Sequence, residues 1–220
     1  MMRTTTRALF GALSLSVITS CAQSPREATP VSEAERDAAP AAAPAADTAT
    51  PPGGQPLASP RDSATATVSG ATVSINYGRP SMRGRTIFGG LVPYDKVWRT
   101  GANEATAFTT TRAVTIGSAA VPAGNYTLYT NLTATTTMPD CSASEDGVAG
   151  GHLIISKQTG QWGTEYSEGM DLARVPMRAC RLAAPVEQFE ISIVPSGSDA
   201  GTLHFSWATT RYSVPFRVSQ

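Results

Sequence analysis

From about residue 61 onward, apolar and polar positions alternate with a period of two, the pattern of strands with one buried and one wet face. Residues 64–70 and 71–77 carry it on either side of a turn at Gly70. It returns at 105–111, at 113–117 before a tight turn near Ser118, and at 125–132. In the last of these Tyr126, Leu128 and Thr130 alternate with Thr127, Tyr129 and Asn131. A short apolar run at 153–157 is followed by 172–182, 186–194, 202–207 and 212–218. Leu203, Phe205 and Trp207 share the face expected to be buried; Thr202, His204 and Ser206 share the face expected to be wet. About ten short strands with Gly- and Pro-bearing turns, and no long helical pattern, predict an all-β fold. The expected form is an antiparallel β-sandwich, jelly-roll-like, with an open-ended barrel as the alternative.

Upstream of residue 61 the alternation is absent. Arg3 and Arg7 form a short basic region, residues 8–18 are mainly apolar, and Ile18-Thr19-Ser20-Cys21 has the apolar-small-small-cysteine pattern of a lipobox. The apolar run is too short to span a bilayer. Residues 1–20 are therefore read as a bacterial lipoprotein signal, with Cys21 as the lipidation site and the lipid as the anchor. An ordinary secretory signal with an incidental cysteine is the alternative. Residues 21–60 are dominated by Ala and Pro and cannot bury enough apolar surface to offset ordering, so they are expected to form a disordered tether. As a flexible coil its ends would lie roughly 35 Å apart, and Pro-driven extension would take it towards about 120 Å. The expected location is the cell envelope, anchored to a membrane and facing the periplasm or the exterior. Residues 61–220, about 160 in all, suffice for one domain with a sizeable core.

Charge narrows the partners. Lys and Arg number 17 against 17 Asp and Glu, with no basic tail and no basic-aromatic repeat, which argues against nucleic acid. Of the three cysteines, Cys141 and Cys180 remain as an even pair once Cys21 is acylated. Either they form a bridge, the favoured reading for an oxidising compartment, or they are two structural thiols. A bridge would close a loop of about 40 residues, worth about 4 kcal/mol in the chain-entropy model.

One stretch breaks the strand rhythm: residues 79–104, RPSMRGRTIFGGLVPYDKVWRTGANE. Connections of this length are uncommon in compact domains and are often functional. Arg79, Arg83, Arg85, Lys96 and Arg99 make it locally basic, with only Asp95 in opposition until Glu104. Its apolar residues (Ile87, Phe88, Leu91, Val92, Tyr94, Val97, Trp98) are expected to pack the connection over one open end of the sandwich. Arg99, Asn103 and Glu104 could together recognise a carboxylate, a sugar or a peptide backbone. The structural alternative pairs Arg99 with Glu104 while Asn103 holds a turn beside Gly101, locking the connection in place. Arg79, Arg83 and Arg85 are read as an anion patch or as a solvated loop face. Trp98 and Trp162 are read as a sugar-stacking platform or as core.

The runs Gly84 to Tyr94 (GRTIFGGLVPY) and Lys96 to Thr106 (KVWRTGANEAT), with the later PAGNYTLYT at 122–130 and Gln161-Trp162-Gly163, resemble domain of unknown function 2911. The resemblance covers 59–218. It implies an exported, β-rich bacterial domain without an established activity, so it supplies no catalytic residue to carry over. The chain departs from the family pattern at 133–150, where a Thr-, Asp- and Gly-rich loop containing Cys141 is inserted.

The case for an enzyme is thin. His152 and His204 are the only histidines, which rules out a three-histidine metal site within the chain, and no cofactor or metal is expected. No metalloprotease, serine-hydrolase, phosphate-loop or dinucleotide motif is present. Glu165, Glu168 and Asp171 lack the ligand spacing of a calcium loop. A glycan hydrolase would require Glu104 opposite Asp171 or Glu165 across a cleft. The leading expectation is a lipid-anchored, non-enzymatic binding or scaffold module with an envelope protein partner. A glycan or small anionic ligand held by Trp98, Arg99, Asn103 and Glu104 is the alternative.

Overall fold

The computed structural model describes residues 58–141 and 147–219. The lipidation site Cys21 and the expected signal and tether before residue 58 lie outside the described residues. The first strand is β1 (Arg61–Val68). It forms a hairpin with β2 (Ala71–Gly78), and both turn residues have positive φ, Ser69 at 47° and Gly70 at 73°. That is the geometry of a two-residue turn whose twist matches the strands it joins.

The remaining strands are β3 (Val97–Trp98), β4 (Thr106–Thr110), β5 (Val114–Ile116), β6 (Ala119–Val121), β7 (Gly124–Leu132), β8 (Val148–Ser156), β9 (Asp171–Ser196) and β10 (Ala200–Val218). They form one antiparallel sheet in the order β1-β2-β4-β7-β8-β9-β10-β5-β6, with β3 beside β7. The sheet does not close, and it curls over its own apolar face as the β-sandwich expected from the alternation. Among the described residues the only helical turn is a three-residue 3₁₀ segment, Glu168–Met170.

Strand boundaries differ from expectation at the C-terminal end. The predicted strands 172–182 and 186–194 are one 26-residue strand, β9, and 202–207 and 212–218 are one 19-residue strand, β10. Register shifts around Ala208, whose φ is 50°, interrupt the alternation without ending the pairing. Such bulges bend a strand while its ladder continues, so a break in period is not a break in the strand. The first half of β9 pairs with β8; its second half pairs with β10 and packs beside β1, while just past β2 Ser81 bridges Gln188 and Phe189 N donates to Pro80 O at 2.9 Å.

The core contains Tyr77, Phe108, Leu128, Leu153, Phe189, Phe205 and Trp207. Leu203, Phe205 and Trp207 are buried as expected. Thr202 and Ser206 are buried as well and His204 is half-buried, so the face expected to be wet is largely covered; Arg211 Nε reaches the Ser206 hydroxyl at 3.4 Å. Cys141 and Cys180 are disulfide-bonded, closing a separation of 39 residues. Cys141 N donates to Arg181 O and Arg181 N to Pro139 O, so backbone pairing and the bridge hold this insertion to β9 together.

Candidate functional site

The 79–104 connection packs down as its apolar residues require. Ile87 and Val92 are buried, Phe88 meets Tyr212 edge-on at 5.3 Å, and Leu91 remains 45% exposed. Its arginines diverge. Arg79 Nη1 pairs with Asp62 at 3.0 Å and its Nε donates to Phe189 O. Arg83 donates from Nη2 to Ala58 O. Arg85 donates to Ser81 O and Met82 O. Each of the three spends donors on local carbonyls, which ties the loop to its surroundings.

The trio Arg99, Asn103 and Glu104 also separates. Glu104 pairs with Arg61 on β1 at 2.7 Å, not with Arg99, and Arg61 in turn holds Asn76 Oδ1. The Glu104 carboxyl is held below its ordinary value, first by its own backbone N–H and then by Arg61. Asn103 adopts φ 65°, which Asn tolerates better than most residues, and its Nδ2 donates to Ser59 O at 3.3 Å. Arg99 donates from Nε to Gly101 O at 3.2 Å.

What brings this region together is the segment 161–163. Glu104 bridges Trp162, Gly163 N donates to Asn103 O, and Ala105 N donates to Gln161 O. A Cβ on Gly163 would lie 2.7 Å from both Arg99 Cδ and Asn103 O. The contact therefore requires glycine for space.

Beside this junction lies a cleft of about 300 Å³ lined by Trp98, Arg99, Tyr129, Tyr166, Trp207 and Leu91, with Pro80, Val97, Gly101, Gly163 and Thr164. Trp98 stacks nearly parallel on Trp207, with ring centroids 5.8 Å apart and planes at 19°. Tyr129 meets Tyr166 edge-on at 4.9 Å. Both hydroxyls are engaged. Tyr129 donates to Glu165 O at 2.6 Å and accepts from Gln161 Nε2; Tyr166 donates to Asp171 Oδ2 at 2.7 Å and accepts from Arg174. Burial pushes the Tyr129 hydroxyl up, and burial followed by the Asp171 contact takes Tyr166 up to about 12. Both are neutral at physiological pH.

Of the candidate binding residues, Trp98 and Arg99 line the cleft, whereas Asn103 and Glu104 support its edge from behind. Trp162 is 49% exposed but lies outside the lining, so the two tryptophans do not make a joint platform. Tyr129, Tyr166, Leu91 and Trp207 were not expected at the site. Trp207 reads as a core residue and is fully buried, so it backs the cleft from beneath Trp98 without facing it. Tyr129 sits on the alternate face of β7, a signal for a covered second face that periodicity leaves unassigned. The acids considered for hydrolysis do not line the cleft: Glu104 is committed to Arg61, and Asp171 to Tyr166 and Arg174. A second, more open depression of about 390 Å³ lies between β1 and β9 and carries both signs of charge, with Asp62, Arg79 and Glu190 on its walls.

No curated protein and no solved structure matches the chain. The segments that build the cleft edge, 96–106 and 161–163, fall within the residues 59–216 that match the model of a family described as protein of unknown function (DUF2911), and the chain belongs to that family.

Proposed function

We propose that this chain is an envelope binding module, tethered by a lipid on Cys21, whose ligand enters the aromatic cleft beside β3. The observation that carries this reading is the conjunction, in one concavity, of the partly exposed aromatic rings of Trp98 and Tyr166 with the half-buried Arg99. Apolar walls with few convergent polar groups are the usual composition of small-molecule sites, and the volume falls at the low end of their range of about 300–1,000 Å³. The tether supports the same reading, since it would hold the domain clear of a membrane surface.

A neutral glycan fits less well. Sugar hydroxyls require acceptors as well as an aromatic face, and the lining contains no carboxylate or carboxamide side chain. A protein partner is the second reading, favoured by Leu91 on the rim and by Trp162 next to Gly163, each about half exposed.

The test is a thermal-shift screen of small molecules on the full chain beside a Thr164→Trp variant, which fills the cleft from an exposed lining position. Compounds that raise the melting temperature of the unaltered chain alone support the cleft as the binding site. Hits shared equally by both proteins overturn it.

A further inference from the structure

We propose that the ligand of this cleft is a small amphipathic carboxylate, its flat apolar body against the aromatic walls and its anionic group on Arg99. The inference rests on the cleft being the binding site and adds the chemical class of the ligand.

Arg99 is the only charged side chain in the lining, and the two tyrosines there are neutral. Of the acids next to this region, Glu104 pairs with Arg61, Asp171 and Glu168 share Arg174, and Glu165 lies outside the lining between Thr164 and Tyr166. Within the lining Arg99 is thus the single cation, beside low-dielectric walls where attraction for an anion is stronger than in water.

Arg99 is also held in advance of binding. Its Nε donates to Gly101 O at 3.2 Å, and Gly163 approaches so closely that a single added methyl would lie 2.7 Å from Cδ. Among the described residues Nη1 and Nη2 have no hydrogen-bond partner. These are the donors whose planar geometry suits a carboxylate, and holding the stem reduces the side-chain entropy lost on binding. Most acceptors that hydroxyl-rich ligands would need are engaged: Gly101 O takes Arg99 Nε, and the tyrosine oxygens serve Gln161 and Arg174, which leaves the Thr164 hydroxyl. An apolar body with one anionic group leaves the fewest polar atoms unmatched.

The experiment titrates the full chain with 3-phenylpropionate and with its neutral isostere 3-phenylpropionamide, by calorimetry and tryptophan fluorescence. Arg99→Gln and Arg99→Lys variants of unchanged circular dichroism are run in parallel. The acid is expected to bind at least about tenfold more tightly than the amide, the size of effect a charge-assisted hydrogen bond supplies. That advantage should vanish in Arg99→Gln, survive in part in Arg99→Lys, and weaken as salt is raised. Equal affinities for acid and amide, both abolished by Thr164→Trp, would overturn the carboxylate class while leaving the cleft as a binding site. Binding of neither compound also overturns the carboxylate class, and the cleft then stands or falls on the Thr164→Trp screen alone.

Discussion

The Tyr77 hydroxyl serves Ile191 as a neighbouring strand would: Ile191 N donates to it at 2.9 Å, and it donates to Ile191 O at 3.3 Å. The two residues are 114 apart in sequence, and both are buried. Between them they close the seam where the second half of β9 packs on the β1–β2 hairpin, with Arg79 adding its bonds to Phe189 O and Asp62. A sheet edge left unpaired inside a fold is costly, and here one phenol satisfies both backbone groups.

Tyr77→Phe should therefore destabilise the domain by about 1–3 kcal/mol, the cost of orphaning a buried donor and acceptor. Urea denaturation would measure it as a lower midpoint with an unchanged slope. A variant indistinguishable from the unaltered chain would mean that water replaces the hydroxyl at the seam.

Alkaline pH should weaken the fold through its tyrosines. The folded-state value of Tyr166 lies above its ordinary 10.0, at about 12. A raised value stabilises the fold fully below pH 10, and that contribution is lost as pH rises from 10 through about 12. Tyr77, Tyr129 and Tyr212 shift in the same direction, chiefly through burial. Spectrophotometric titration of the phenolate band should give a late-ionising fraction coincident with loss of structure, reduced in Tyr166→Phe. All six tyrosines ionising together near pH 10 in the folded protein would contradict this.

Gly163→Ala should cost about 1–3 kcal/mol, because the new methyl displaces either Arg99 or the Asn103 carbonyl from a packed junction. Gly169→Ala is the matched control: nothing lies within 4 Å of its added methyl, so its effect should stay within about 0.5 kcal/mol. Paired thermal melts compare them directly. Equal effects would remove the steric argument for the 161–163 contact.

Breaking the disulfide should cost about 4 kcal/mol in the chain-entropy model for its 39-residue separation. The comparison is denaturant unfolding of the oxidised chain and of a Cys141→Ala, Cys180→Ala double variant. A loss near zero would show that the backbone pairing of 139–141 with Arg181 already holds the insertion in the native and unfolded ensembles alike.

Much of the sandwich was legible because strand periodicity is local. Val73, Ile75 and Tyr77 alternate inward along β2, and the same rule buried Leu203, Phe205 and Trp207 on β10. The 79–104 connection stood out because it lacked that period and concentrated charge and aromatic residues. Long bent strands did not: the bulge at Ala208 looks like a loop in sequence, since the ladder that continues through it belongs to β9. The partner of Glu104 was equally hidden. Arg61 lies 43 residues away on β1, while Arg99 is five residues distant and chemically just as suitable.

Composition and period were enough to determine a β-sandwich after residue 60, the family signature, the unusual connection and an even cysteine pair in the domain. These depend on neighbours along the chain or on simple counting. The cleft was decided only by tertiary structure, because Trp98, Tyr129, Tyr166 and Trp207 come from four separate segments, each read alone as strand, core or loop. Which face of a doubly covered strand meets a ligand, and which arginine keeps free donors, depend on contacts across the fold. Short-range pattern carries no information about those distances; the curl of one continuous sheet sets them.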